Sequence, residues 1–253
     1  MRADLFFAEK YGSRTRAKDV LKEGRILRNG KPLSPSDEVQ PTDTFCFLEE
    51  GIQYVSRGGY KLVRGLDVFG ESVDGMVFAD LGASTGGFTE VLLRRKARHV
   101  YAVDVGKAQL APSLAADTRV TVMDETNARY LTADMFEEPL DGVVSDLSFI
   151  SLRLVLPAVA AILPAQGKAF VLFKPQFECG GKGLGKSGIL PTRCHRDLLA
   201  DFYAFCLTLS LSPRAVVCAP VVPRKNVEYI VFLQKNAEPI APQLFLKEAE
   251  RLF

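Results

Sequence analysis

VFADLGASTGGF, residues 77–88, decides the fold. VFADL suits a buried strand, the glycines after it suit a tight turn, and TGGFTEVLLRRKA carries helical spacing, which predicts a helix beginning near Thr85. Gly82, Gly86 and Gly87 admit torsions and close approaches that a Cβ would block, and a helix start offers free N–H groups to an acceptor. Asp80, at the strand end, is placed to accept a hydrogen bond from a bound cofactor. Further along, HVYAVDV predicts a second strand ending in Asp104, where open α/β sheets commonly put a carboxylate for ribose hydroxyls. Together these point to an adenosine-containing ligand. The spacing is Asp-x-Gly-x-x-x-Gly-Gly and not the Gly-x-Gly-x-x-Gly of dinucleotide folds. A pyrophosphate cradle is therefore disfavoured and S-adenosylmethionine (SAM) favoured; the bland alternative is a tight turn with no ligand.

Four other residues are expected at the same sheet edge. GGYKLVRGLDVFG predicts a helix before the first sheet strand, with Lys61 near its start. GVVS reads as a buried strand ended by Asp146. KAFVLF is ended by Lys174, which precedes Pro175; a residue before proline is held in extended torsions, so Lys174 marks the strand's carboxyl end. Glu228 lies near the beginning of the late strand in KNVEYIVFL. If that strand runs antiparallel to the others, its beginning reaches their carboxyl edge, and all four side chains meet in the crevice where open sheets bind ligands.

Residues 1–48 read as a small separate module, 49–57 as a linker and 58–253 as the main domain. ADLFFAEKY and SRTRAKDVLKEG predict two short amphipathic helices, with Ser13 as N-cap and Gly24 as terminator. ILRNGKPL carries the hairpin signal Asn29-Gly30, and DTFCFLEE closes as a strand. Residues 1–31 hold nine Lys or Arg against four acids, whereas the rest of the chain holds 23 against 26. A basic arm on a near-neutral body is the footprint of a polyanion-binding module. This arm resembles the small RNA-binding domain shared by a small-subunit ribosomal protein and many pseudouridine synthases. The resemblance makes Arg14, Arg16, Lys18, Lys22, Arg25 and Lys31 candidate RNA contacts, joined by Arg57.

Composition narrows the class. Hydrophobic residues at 47% and charged ones at 25% over 253 residues describe a globule with a full core. The longest apolar run, LVLPAVAAIL, is too short for a membrane span and contains a proline. No signal peptide opens the chain, so a cytoplasmic protein is expected. Five cysteines without a C-x-x-C pair, and two histidines, support neither a disulfide framework nor a metal site.

YVSRGGYKL, DLGASTGGFTEVLL, VDVGKAQL, SDLSFISL, FKPQFE and NVEY closely resemble the TlyA-type haemolysin family: ribosomal RNA 2′-O-ribose methyltransferases related to the FtsJ/RrmJ group. The resemblance runs from Met1 to about Leu233. It implies a Rossmann-like SAM-dependent methyltransferase with a seven-stranded, mostly parallel sheet behind the small α+β RNA-binding domain. It further implies that Lys61, Asp146, Lys174 and Glu228 form a catalytic tetrad and that Asp80, Gly82 and Asp104 contact SAM. Ser84, Thr85, Gly86, Gly87, Phe88, Asp124 and Asp146 join those as cofactor candidates. The implied partner is ribosomal RNA or a ribosomal subunit, without a membrane. Opening at MRADLF, the chain matches the shorter family subtype, which implies a cytidine of large-subunit rRNA.

A ribose 2′-hydroxyl is a weak acid, so attack on a sulfonium methyl needs a base, and Lys174 is assigned that role. A lysine acts as base only when neutral, a form that nearby positive charge and desolvation favour and carboxylates oppose. Gly180 to Ser187 also fits the P-loop pattern letter for letter, but KPQFEC separates it from the strand, and Gly188 with Pro191 interrupts the helix that should follow. A basic loop over RNA, with Lys182 and Lys186 on phosphates, is expected instead. The chain departs from its relatives at Lys107-Ala108, Ala111, GILPTRCH and APVVPRKNVEY. Those departures support an alternative, an RNA-binding protein with an inactive methyltransferase domain; a membrane-active haemolysin is the other.

Overall fold

The computed structural model describes residues 1–22, 24–28, 31–40, 43–47, 54–185, 187–220 and 225–250. The chain divides into two compact units, Met1–Gln53 and Tyr54–Phe253.

In the first unit, α1 (Ala3–Phe6) and α2 (Arg14–Lys22) precede β1 (Ile26–Arg28), β2 (Lys31–Pro32) and β3 (Phe45–Phe47), an antiparallel sheet in the order β2-β1-β3. Helix α1 is shorter than ADLFFAEKY suggests, because the chain goes into turns after Phe6. The Arg16 N–H donates to Ser13 Oγ at 3.1 Å, the cap expected for α2, and Gly24 ends that helix at φ 69°. Strands β1 and β2 pair through Arg28 and Lys31, and the Asn29-Gly30 turn between them lies outside the described residues. Ala17, Val20 and Leu21 of α2 face Phe7, Ile26 and Leu33, which leaves the basic residues of the helix on its other side.

The second unit begins at Tyr54 and not beyond residue 57. The Val55 N–H donates to Glu90 Oε2 at 2.5 Å, and the Tyr54 ring meets Tyr60 edge-on at 5.3 Å, so this stretch is part of the unit's packing. In chain order come α3 (Gly58–Phe69), β4 (Val77–Leu81), α4 (Gly87–Arg94), β5 (His99–Val103), α5 (Pro112–Ala115) and β6 (Val120–Met123). They are followed by β7 (Gly142–Ser145), α6 (Leu156–Ile162), β8 (Lys168–Phe173), α7 (Pro175–Glu178), α8 (His195–Thr208), β9 (Leu211–Cys218), β10 (Tyr229–Lys235) and α9 (Pro242–Glu250).

The seven strands lie in the order β6-β5-β4-β7-β8-β10-β9, and only β10 runs against its two neighbours. Parallel strands covered on both faces must be apolar on both faces, and β4, β7 and all of β8 after Lys168 are buried. Alternation along β4 sends Val77, Ala79 and Leu81 into one core with α6 and α8, and Phe78 into the other with α3 and α4. The order of strands reverses between β4 and β7, and open sheets bind ligands in the crevice outside such a switch point. Register pairs Leu81 with Ser145, so Gly82 and Asp146 leave the sheet side by side. Phe245 of α9 is buried against Tyr203, with the rings 5.3 Å apart.

Candidate active site

The turn after β4 sets the geometry. Gly82 and Gly86 have φ of 79° and 96°, left-handed values that favour glycine. With Gly86 in that conformation the helix cannot begin at Thr85, and α4 starts at Gly87. A Cβ on Gly86 would lie 2.8 Å from Leu110 Cδ1 and closer still to Leu114. Gly86→Ala therefore combines backbone strain with overpacking, and we expect it to cost about 2–5 kcal/mol, read as a drop in melting temperature.

A cavity of about 390 Å³ opens at this turn and at the ends of β7 and β8. It is lined by Asp80, Gly82, Ser84, Thr85, Gly87 and Phe88, and by Lys61, Asp146, Lys174 and Glu228, all picked out from the sequence. Ser56, Gly58 and Ser148 line it as well and were not. Three cofactor candidates fall outside the lining. Gly86 faces Leu110 and Leu114, so its role is packing. Asp104 sits past the end of β5, accepting Ser84 N at 2.8 Å and Gly106 N at 2.7 Å, and Asp124 accepts Ala108 N at 2.7 Å. These two carboxylates fasten neighbouring loops at the same sheet edge.

The two lysines and two acids are joined in one chain of ion pairs. Lys61 Nζ lies 2.8 Å from Glu228 Oε2 and 3.4 Å from Asp146 Oδ2, and Lys174 Nζ lies 2.7 Å from Asp146 Oδ1. Each comes from a different place: α3, the end of β7, the residue before α7, and the residue before β10. Lys174 holds the extended torsions its proline demands, φ −115° and ψ 97°. Glu228 reaches the group because β10 is antiparallel to β8, with Tyr229 opposite Phe173. Burial disfavours the Lys61 ammonium, but Asp146 and Glu228 outweigh it and raise the pKa above the ordinary lysine value.

Asp80 differs from the other acids. It is buried; Thr89 donates to its Oδ2 from N at 2.8 Å and from Oγ1 at 2.7 Å, and Oδ1 has no partner. Burial pushes its pKa to about 7, with Asp146 and Asp104 adding to the shift and the Thr89 bonds opposing it. An orphaned acceptor on a lining residue, beside a glycine-rich turn, suits a ligand that brings a hydrogen-bond donor.

Residues 54–235 match the FtsJ-like methyltransferase family. The chain is 40% identical over 231 residues to the 16S/23S rRNA (cytidine-2′-O)-methyltransferase TlyA of Mycobacterium tuberculosis, covering 89% of this chain and 86% of that protein. The chain is a TlyA-type member of the FtsJ-like methyltransferase family. This methyltransferase is also 30% identical to the 23S rRNA (cytidine-2′-O)-methyltransferase TlyA of Campylobacter jejuni, over 93% of this chain and all of that one. A solved structure from Streptococcus thermophilus, described as a hemolysin, superposes with a TM-score of 0.79 at 35% identity, over 99% of this chain and 94% of that chain. The resemblance read from SRGGYKL, DLGASTGGFT and KPQFE is confirmed at the level of family and fold.

The basic residues singled out for RNA are placed as follows. Arg14 lies on α2, 50% exposed, with its guanidinium 3.0 Å from the fully buried Asp4, which also pairs with Arg2. Nothing in the local sequence marks Asp4 as buried, so the pairing is visible only in the structure. Arg16 and Lys22 are exposed and Lys18 and Arg25 half-buried; Lys31 has its backbone in β2. Arg57 and Lys182 are exposed, and Lys186 lies outside the described residues. Residues 180–183 form turns after α7, so no strand runs directly into the P-loop-like stretch. No helix among the described residues is long and apolar enough to cross a membrane.

Proposed function

We propose that this methyltransferase moves the methyl group of SAM to the 2′-hydroxyl of a cytidine in large-subunit ribosomal RNA. In this reading Lys61, Asp146, Lys174 and Glu228 are the catalytic group and residues 1–48 the RNA-binding domain. The observation that carries it is the single ion-pair chain through those four residues, at the mouth of the glycine turn. The cytidine and the subunit follow the names of the relatives from Mycobacterium tuberculosis and Campylobacter jejuni, both of which include 23S rRNA.

SAM fits the residues present: Asp80 Oδ1 lacks a donor, Gly82, Ser84, Thr85 and Gly87 of the turn line the cavity beside it, and Asp104 and Asp124 flank it at the same edge. When bound, SAM supplies a methyl group activated by a sulfonium. The chain's own residues do the rest. Asp146 takes one lysine on each of its oxygens and so fixes the distance between them. Glu228 holds Lys61, which stays charged and orients the attacking oxygen. Lys174 Nζ takes the proton of the attacking hydroxyl. A positioned base contributes typically about 10²–10⁴-fold, and alignment of reactants corresponds to effective molarities of about 10⁵–10⁸ M.

The complete ion-pair chain gives no support to an inactive domain. The test is to incubate the protein with SAM and 50S subunits and map ribose methylation along the rRNA by primer extension at low nucleotide concentration. One new stop at a cytidine of the 50S rRNA is expected; no new stop there overturns the reading.

A further inference from the structure

We propose that Ser148 is a positioning residue that aims the lone pair of Lys174; the inference rests on the methyl-transfer reading above. A lysine nitrogen is tetrahedral, with one direction taken by Cε and three left. Two of the three are occupied here: Lys174 Nζ donates to Asp146 Oδ1 at 2.7 Å and to Ser148 Oγ at 2.8 Å. In the neutral amine, the two N–H bonds follow those acceptors and the lone pair takes the remaining direction. Both acceptors line the cavity that Lys174 enters, so the lone pair has one orientation relative to it. With Asp146 alone, one N–H stays on Oδ1 and the lone pair can take either of the two remaining directions about the Cε–Nζ bond.

Ser148 is exposed, but its loop is held at both ends. On one side the Asp146 N–H donates to Leu81 O at 3.2 Å, which ties the loop to the β4 turn. On the other, Glu178 accepts from Ser151 Oγ at 2.6 Å and from Leu152 N at 2.8 Å. Between them Phe149 takes φ 63°, a left-handed value that a bulky residue adopts only where its surroundings impose it. Glu178 belongs to the short helix α7 that Lys174 itself opens, so base and serine are fastened to the same piece of backbone. The Phe177 ring of α7 lies with its centroid 5.9 Å from Lys174 Nζ.

The test compares Ser148→Ala and Ser148→Thr with the wild type on 50S subunits, measuring kcat, the KM for subunits, the Kd for SAM and the melting temperature. Ser148→Ala should lose about 10–100-fold in kcat, the scale on which small misplacements act, with KM and Kd within about twofold and melting unchanged. Ser148→Thr, which keeps Oγ, should recover most of the loss. A wild-type kcat in Ser148→Ala, a change confined to KM or Kd, or a loss that threonine does not restore overturns the inference. An inactive wild type overturns the methyl-transfer reading instead and takes this role with it.

Discussion

Lys174→Ala should reduce methyl transfer by about 10²–10⁴-fold while the Kd for SAM changes by less than about threefold. The first half follows from the geometry. Among the four residues of the ion-pair chain, Lys174 is the most enclosed, with 7% of its side chain exposed, and it is held by Asp146 and Ser148. The second half follows from where the proposed cofactor contacts lie, in the Asp80 and Gly82–Gly87 segment that Lys174 borders but does not build. A fall in stability is also expected, because a partly buried carboxylate loses a cation, but Lys61 remains at 3.4 Å from the other Asp146 oxygen and limits it. Lys174→Arg separates chemistry from folding. The guanidinium keeps the charge opposite Asp146 and is never deprotonated at ordinary pH, so it supports the ion pair without serving as a base. Both variants should be equally slow in single-turnover methylation, and Lys174→Arg should melt closer to the wild type. Retention of more than about a tenth of wild-type rate by either would remove Lys174 from the base role.

The parts of this site legible in the sequence were those with a local physical cause. Pro175 dictates the torsions of Lys174, and the apolar run of KAFVLF says which end of a strand it marks. Asp80 and Asp146 terminate short buried runs, and such runs in a parallel sheet end at its binding edge. Glu228 was placed by one topological condition, an antiparallel last strand, which β10 satisfies. What stayed hidden depends on partners distant in sequence. Ser148 is an ordinary polar loop residue until the β8–α7 junction brings Lys174 to 2.8 Å from it, across 26 positions. Ser56 and Gly58 read as linker and helix start, and become lining only because α3 folds over the glycine turn. Arg14 looked free because its partner, Asp4, lies ten residues upstream and is buried. The start of α4 was misplaced by two residues for a related reason: periodicity reports which side chains share a face, but the left-handed torsion of Gly86 fixes where the helix begins.

The binding of SAM should itself depend on pH through Asp80. Its pKa is raised from 3.8 to about 7. Between those values the folded protein holds a proton that the unfolded chain has released, so stability falls as pH rises from about 4 to 7 and is level above that. Without ligand, the ionised carboxylate is thus a burden on the fold, on the order of 4 kcal/mol at pH 8. The Oδ1 atom is both buried and unpartnered, so a donor arriving with SAM would bond the ionised form and reverse that burden. Affinity for SAM, measured by calorimetry, should therefore increase between pH 6 and pH 8. Asp80→Asn makes the opposition visible in one protein. It removes the buried charge, so its melting temperature relative to the wild type should move upward from pH 5 to pH 8 in the absence of SAM. It also removes the charged acceptor, and a hydrogen bond to a charged group contributes about 1.5–3 kcal/mol, so its Kd for SAM should rise by about 10–150-fold and lose its pH dependence. A variant more stable at alkaline pH and yet a weaker binder is the signature of a carboxylate kept ionised for a ligand. Equal affinity in the two proteins, or a Kd for the wild type that is flat across this range, would leave Asp80 as a buried anchor for Thr89 with no part in holding the cofactor.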